Sequence, residues 1–162
     1  MRSILAKELR AQFERTIKNR VPTLIPCKGE GMPPGDRLYR WGIGAKPAFF
    51  VSVLPHHQND AFTLEIAYSD CEKWPQNIFM FSETDPEVSG SKRFRISQLF
   101  PPDQRKDYWW WLVKQPNILN FDSFRDEDPS EALSKVQPLI DDAVTKLVEY
   151  AIPYFRRVET SR

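Results

Sequence analysis

Apolar residues recur at every fourth position near the start of the chain: Leu5, Leu9, Phe13 and Ile17. Lys7, Glu8, Arg10, Glu14, Arg15 and Lys18 fall mostly on other faces, so residues 3–21 read as a helix that buries one stripe and wets the rest. Ser3 can cap its start, and Pro22 forces Val21 out of the helical region. Such a stripe is read as packing on a core rather than as a partner surface.

The period then changes. Residues 26–35 (Pro-Cys-Lys-Gly-Glu-Gly-Met-Pro-Pro-Gly) read as loop. The glycines lack a phosphate-binding spacing: no Lys-Ser/Thr pair follows, and Pro33-Pro34 blocks the helix that would be needed. Three strands are predicted next, over residues 38–43, 48–54 and 61–67. The third alternates cleanly, with Phe62, Leu64 and Ile66 on one face and Thr63 and Glu65 on the other. Short polar turns at 44–47 and 56–60 make an antiparallel meander the natural connection. One face should meet helices and the other should be partly wet.

Residues 78–81 are a short apolar run, and 82–91 a polar turn region. Residues 92–99 alternate again and predict a fourth strand, with Phe94 and Ile96 inward, until Pro101-Pro102 stops it. For residues 108–113 periodicity leaves strand and helical turn both open. The final segment opens on Asp128-Pro129-Ser130-Glu131, with Asp at the cap, Pro at the first helical position and an acid behind. Leu133, Val136, Ile140, Ala143, Val144, Leu147, Val148 and Ala151 then keep the helical repeat. Pro138 should kink or split that helix, Pro153 should end it, and residues 156–162 should fray. The sum is one α+β domain: an antiparallel sheet of about four to five strands with the N-terminal and C-terminal helices packed on one face.

Composition narrows the function. A chain of 162 residues with 41% hydrophobic positions can build a core without staples. A net charge of +1 argues against a life on phosphate backbones, where a large positive excess supplies the affinity. The two cysteines, Cys27 and Cys71, with no apolar leader at the start and no run of apolar residues long enough to span a bilayer, point to a cytoplasmic protein with reduced thiols.

No catalytic motif is present. His56 and His57 are neighbours, so on extended backbone they would face opposite ways and could not easily share a metal or a proton. Asp70, Glu72 and Lys73 resemble part of a nuclease triplet, but Glu72 and Lys73 are adjacent and meet the same objection. The cysteines lack the paired spacing of a zinc site. No cofactor and no metal are expected. An enzyme built from distant positions, with His56, His57, Asp70 and Glu72 as candidates, stays as an alternative.

Binding residues stand out more. In Tyr108-Trp109-Trp110-Trp111 three consecutive indoles cannot all face one core, and Trp and Tyr are preferred anchors at protein interfaces. Lys92, Arg93 and Arg95 flank Phe94. These charges suit complementarity to a protein partner; basic residues interleaved with an aromatic would also suit single-stranded nucleic acid. A non-catalytic protein-binding module using Trp109, Trp110, Trp111, Tyr108, Lys92, Arg93 and Arg95 is the leading expectation, ahead of nucleic acid.

The amphipathic first helix, Leu-Tyr-Arg-Trp at 38–41, Phe-Phe-Val-Ser-Val at 49–53 and Tyr-Ala-Ile-Pro-Tyr-Phe at 150–155 together resemble a family of uncharacterised bacterial domains of unknown function (family 4304). The resemblance covers the two ends and the first strands but not the Trp run. It implies a bacterial α+β domain with no assigned active site. Small domains of this sort resemble immunity proteins that neutralise toxins, an analogy at the level of fold.

Overall fold

The computed structural model describes residues 3–29, 37–42, 47–56, 58–70, 73–75, 92–105, 108–112 and 128–161. Helix α1 spans Ser3–Arg20 and buries the anticipated stripe of Leu5, Leu9, Phe13 and Ile17. Strands β1 (Leu24–Cys27), β2 (Arg37–Trp41), β3 (Ala48–Pro55), β4 (Ala61–Ser69), β5 (Lys92–Arg95) and β6 (Trp110–Trp111) form one antiparallel sheet. Its order is β1-β2-β3-β4-β5, and β6 also pairs with β4. β5 lies against Glu65–Tyr68 of β4, whereas Ala61 and Phe62 pair with Trp111 and Trp110. The two short strands therefore share one edge of β4, end to end.

The meander is as predicted, and the differences lie at its margins. β1 falls partly in the segment read as loop. Its four residues are too few to show alternation, and Pro26 argues against a central strand; at a sheet edge its missing N–H costs little. The alternation at 92–99 is half right: only Lys92–Arg95 is strand, and Ile96–Leu99 turns into a 3₁₀ helix ahead of Pro101. Residues 78–81, with His57, Cys71 and Glu72, lie outside the described residues.

Helix α2 spans Pro129–Lys146. Asp128 caps it, accepting from the backbone N–H groups of Ser130 (2.7 Å) and Glu131 (3.1 Å). Pro138 does not split it. Both Pro138 and Ser134, whose carbonyl loses a donor, lie on the solvent side, where water can replace the missing bond. Pro153 does not end the chain's helical run either. A π turn over Leu147–Ala151 shifts the hydrogen-bond register, and Pro153 then falls in the first turn of α3 (Ile152–Thr160), where an N–H is least missed. The tail expected to fray from Arg156 is helical to Thr160, with Val158 buried in the core.

α1 and α2 lie side by side, tied by Arg20, whose Nη1 donates to Asp141 O (3.1 Å) and Nη2 to Thr145 Oγ1 (3.0 Å). The main core joins the helices to one face of the sheet: Tyr39, Phe49, Val51, Val53, Phe62, Leu64, Ile66, Tyr68 and Phe94. Each fully buried aliphatic or phenyl side chain there contributes about 1.5–3 kcal/mol, so this face dominates stability. The opposite face is not wet over β3 and β4. Its residues from Ala48 to Ser52 are buried, and all nine residues of β4 are buried. A small second core sits there: Leu38, Ala48, Phe50, Ala67 and Trp74.

Candidate binding face

Alternation sorts the aromatic and basic residues onto the two faces. Trp110 pairs with Phe62 in register, and its indole stacks on that ring at 5.3 Å and 16°. It is 2% exposed, and its Nε1–H donates to Asp142 Oδ2 at 2.7 Å, which satisfies the polar edge inside the core. Tyr108 lies on the same side, edge-on to Trp110 at 5.0 Å and under the Lys146 ammonium at 5.7 Å. Asp142 also accepts from Lys146 Nζ at 2.6 Å. Desolvation, the largest single effect, lowers the Lys146 ammonium's affinity for its proton, but the hydrogen bond to Asp142 and the charges of Asp142, Tyr108 and Glu149 together outweigh it, and the net shift is upward. Lys92 pairs with Tyr68 in register and so shares the helix-covered side with Phe94.

Trp109 and Trp111 belong to the other face, and neither is fully buried. His56, at the end of β3, meets both: its ring is T-shaped to Trp109 at 4.7 Å and tilted to Trp111 at 6.3 Å. His56 Nδ1 accepts from the backbone N–H groups of Gln58 and Asn59, both at 3.1 Å. Two donors on Nδ1 put the imidazole proton on Nε2 and fix the ring's orientation. The Arg95 guanidinium lies over the Trp109 ring at 4.7 Å. Trp109 is therefore held by a cation and an imidazole, whereas Trp111 has the looser contact.

Behind this aromatic group lies a polar layer. Glu65, in the middle of β4, is 0% exposed. Arg93 reaches its Oε2 with both Nε (2.8 Å) and Nη2 (2.6 Å). The same guanidinium lies over Trp74 at 4.9 Å, and Trp74 stands edge-on to Phe50 at 6.1 Å. A buried pair of this kind adds little net stability while intact, yet losing one partner strands a charge in low dielectric. Thr63 Oγ1 donates to Tyr108 O at 2.9 Å and ties β4 to the start of the Trp run. Cys27, beside the second core, has its thiol pushed up by burial, with Arg40 opposing; it stays protonated at neutral pH and is a poor nucleophile.

Of the residues singled out in the sequence, Trp109, Trp111, Arg93 and Arg95 come together on the outer face. Trp110, Tyr108 and Lys92 lie on the helix-covered side, because neighbouring strand residues point opposite ways. Phe94 is 1% exposed and faces the helices, so it offers no ring for a base to stack on. Sequence reasoning missed Glu65, Ser52 and Trp74, and set His56 aside as a turn residue. The alternation of 61–67 did place Glu65 opposite the apolar face; nothing local said that this face would be buried. Of the enzyme candidates, His56 is beside the Trp residues, Asp70 is exposed at the end of β4, and His57 and Glu72 are outside the described residues.

The geometry defines a class: an α+β domain whose sheet carries helices on one face and a buried polar and aromatic layer on the other. Compared with known proteins, the chain matches no family model, no curated protein and no solved structure. Among the described residues no helix is long and apolar enough to cross a membrane.

Proposed function

We propose that this chain is a non-catalytic protein-binding module whose contact surface is the outer-face group of Trp109, Trp111 and Arg95, oriented by His56. The observation that carries this reading is the splitting of the Trp run. Trp110 alone serves the core, and two rigid indoles are left partly exposed beside a guanidinium. Large rigid rings held in place by their neighbours lose little entropy on binding, and Trp and Arg are the residues most often found at interface hot spots. Arg93 is paired with Glu65, so Arg95 beside Trp109 is the basic group of this surface that suits complementarity to an acidic group of a partner. Under the resemblance described above, the module is a bacterial, cytoplasmic protein of the toxin-neutralising or regulatory kind.

The test is capture of a stoichiometric partner by the purified protein, compared with a Trp109→Ala/Trp111→Ala variant of unchanged thermal stability. Trp110 stays intact, since its removal would confound binding with folding. Loss of the partner in the variant supports the reading; full retention, or no partner across lysates of its own source, overturns it. A nucleic-acid partner has less in its favour, because Phe94 is buried; it predicts retention on single-stranded DNA or RNA that falls steeply with salt.

A further inference from the structure

Among the described residues, neither Glu65 Oε1 nor Ser52 Oγ, both on the outer face, has a hydrogen-bond partner. Both residues are inaccessible, at 0% and 1% exposure. They are also directly opposed in the β3–β4 register, so their side chains start about 5 Å apart on one face. Glu65 Oε2 is committed to Arg93, which leaves the other oxygen of a buried carboxylate unsolvated. An unmet buried acceptor costs about 1–3 kcal/mol, and more when it is charged, so a partner is expected to be found for it.

We infer that Glu65 Oε1 and Ser52 Oγ together form a binding site for one small, neutral hydrogen-bond donor, namely a structural water molecule. Charge selects the occupant. Glu65 and Arg93 cancel, and Arg95 lies opposite Glu65 on the β5 side, so the surroundings disfavour a cation. An anion would meet the carboxylate oxygen itself. A water donates to Oε1 and either donates to or accepts from the Ser52 hydroxyl, which supplies the minimum of two polar partners that a buried water needs. On β4 the same-face neighbours of Glu65 are small (Thr63 and Ala67), whereas Phe50 and Leu54 flank Ser52 on β3, so the room for a molecule of this size is on the β4 side. The bound water fixes the Glu65 carboxylate and, through Arg93, the position of Trp74.

A high-resolution crystal structure of the whole chain tests this directly. The expected result is an ordered water within about 3 Å of both atoms. A direct bond between Ser52 and Glu65, or a protein donor on Oε1 in place of water, overturns it. A mutant cycle gives a second reading that does not depend on crystals. If a water links the two, the drop in Tm caused by Glu65→Gln is smaller in a Ser52→Ala background than in the parent; equal drops mean that the two residues share nothing.

Discussion

The two faces of the sheet are both buried over β3 and β4, but they are built from different materials. The helix-covered face is a continuous apolar core of Phe, Leu, Ile, Val, Tyr and Trp residues from α1, α2, α3 and all six strands. The outer face holds a small apolar cluster, a buried Glu65–Arg93 pair, and Trp109 and Trp111 around His56. The first arrangement buries area and is insensitive to small changes of orientation. The second depends on direction: each charged or aromatic group is held by one or two specific neighbours. Stability is concentrated on the first face, and the specificity available for a partner on the second.

Mutations can break that contrast. Trp110→Ala removes a stacked core indole and takes the indole donor from Asp142 Oδ2, leaving that carboxylate only Lys146, which should cost about 3–5 kcal/mol in urea unfolding. Trp111→Ala, one residue away but on the outer face, should change stability by less than about 1 kcal/mol; comparable losses would mean that the faces are not distinct. Arg93→Met strands the Glu65 carboxylate and should cost about 3–5 kcal/mol. If the loss arises from the stranded charge, Arg93→Met/Glu65→Met should recover much of it.

Titration sharpens the comparison. Burial pushes the Tyr39 phenol well above its ordinary value, Glu14 adds to the shift and Arg37 opposes it. The folded state therefore holds this proton more tightly than the unfolded chain. Stability is intact below about pH 10, the unfolded phenol's range, and is lost progressively above it. Tyr39→Phe should flatten that alkaline decline in the denaturant midpoint. At the acid end, hydrogen bonds from the Ser130 side chain and from the Glu131 and Ser130 amides hold Asp128 below its ordinary value. Its stabilisation is present above about pH 4 and disappears as the pH falls through the folded-state value. Asp128→Ala should lower Tm slightly at neutral pH, with the difference vanishing in acid.

The helices and the central strands were legible in the sequence because their signal is periodic. Leu5, Leu9, Phe13 and Ile17 keep one helical face, and Phe62, Leu64 and Ile66 keep one strand face. Pro138 as a point of splitting and Pro153 as an end misled, since their cost depends on what surrounds the freed carbonyl and on a π turn that leaves no mark in the pattern. For the binding face, the Trp run announced surplus aromatic surface without saying which ring was core. That choice was made by the pairing of Trp110 with Phe62, which joins residues far apart in the chain. Glu65 was visible as a polar strand position, but its burial and its pairing with Arg93 are products of tertiary structure alone.

The division of the Trp run between two faces is the claim on which the rest depends. Fluorine NMR of the protein labelled with 5-fluorotryptophan, with signals assigned through single Trp→Phe variants, measures it directly through the solvent isotope shift between H₂O and D₂O. No shift is expected for Trp110 and measurable shifts for Trp109 and Trp111. A shift at Trp110, or its absence at both Trp109 and Trp111, would contradict it.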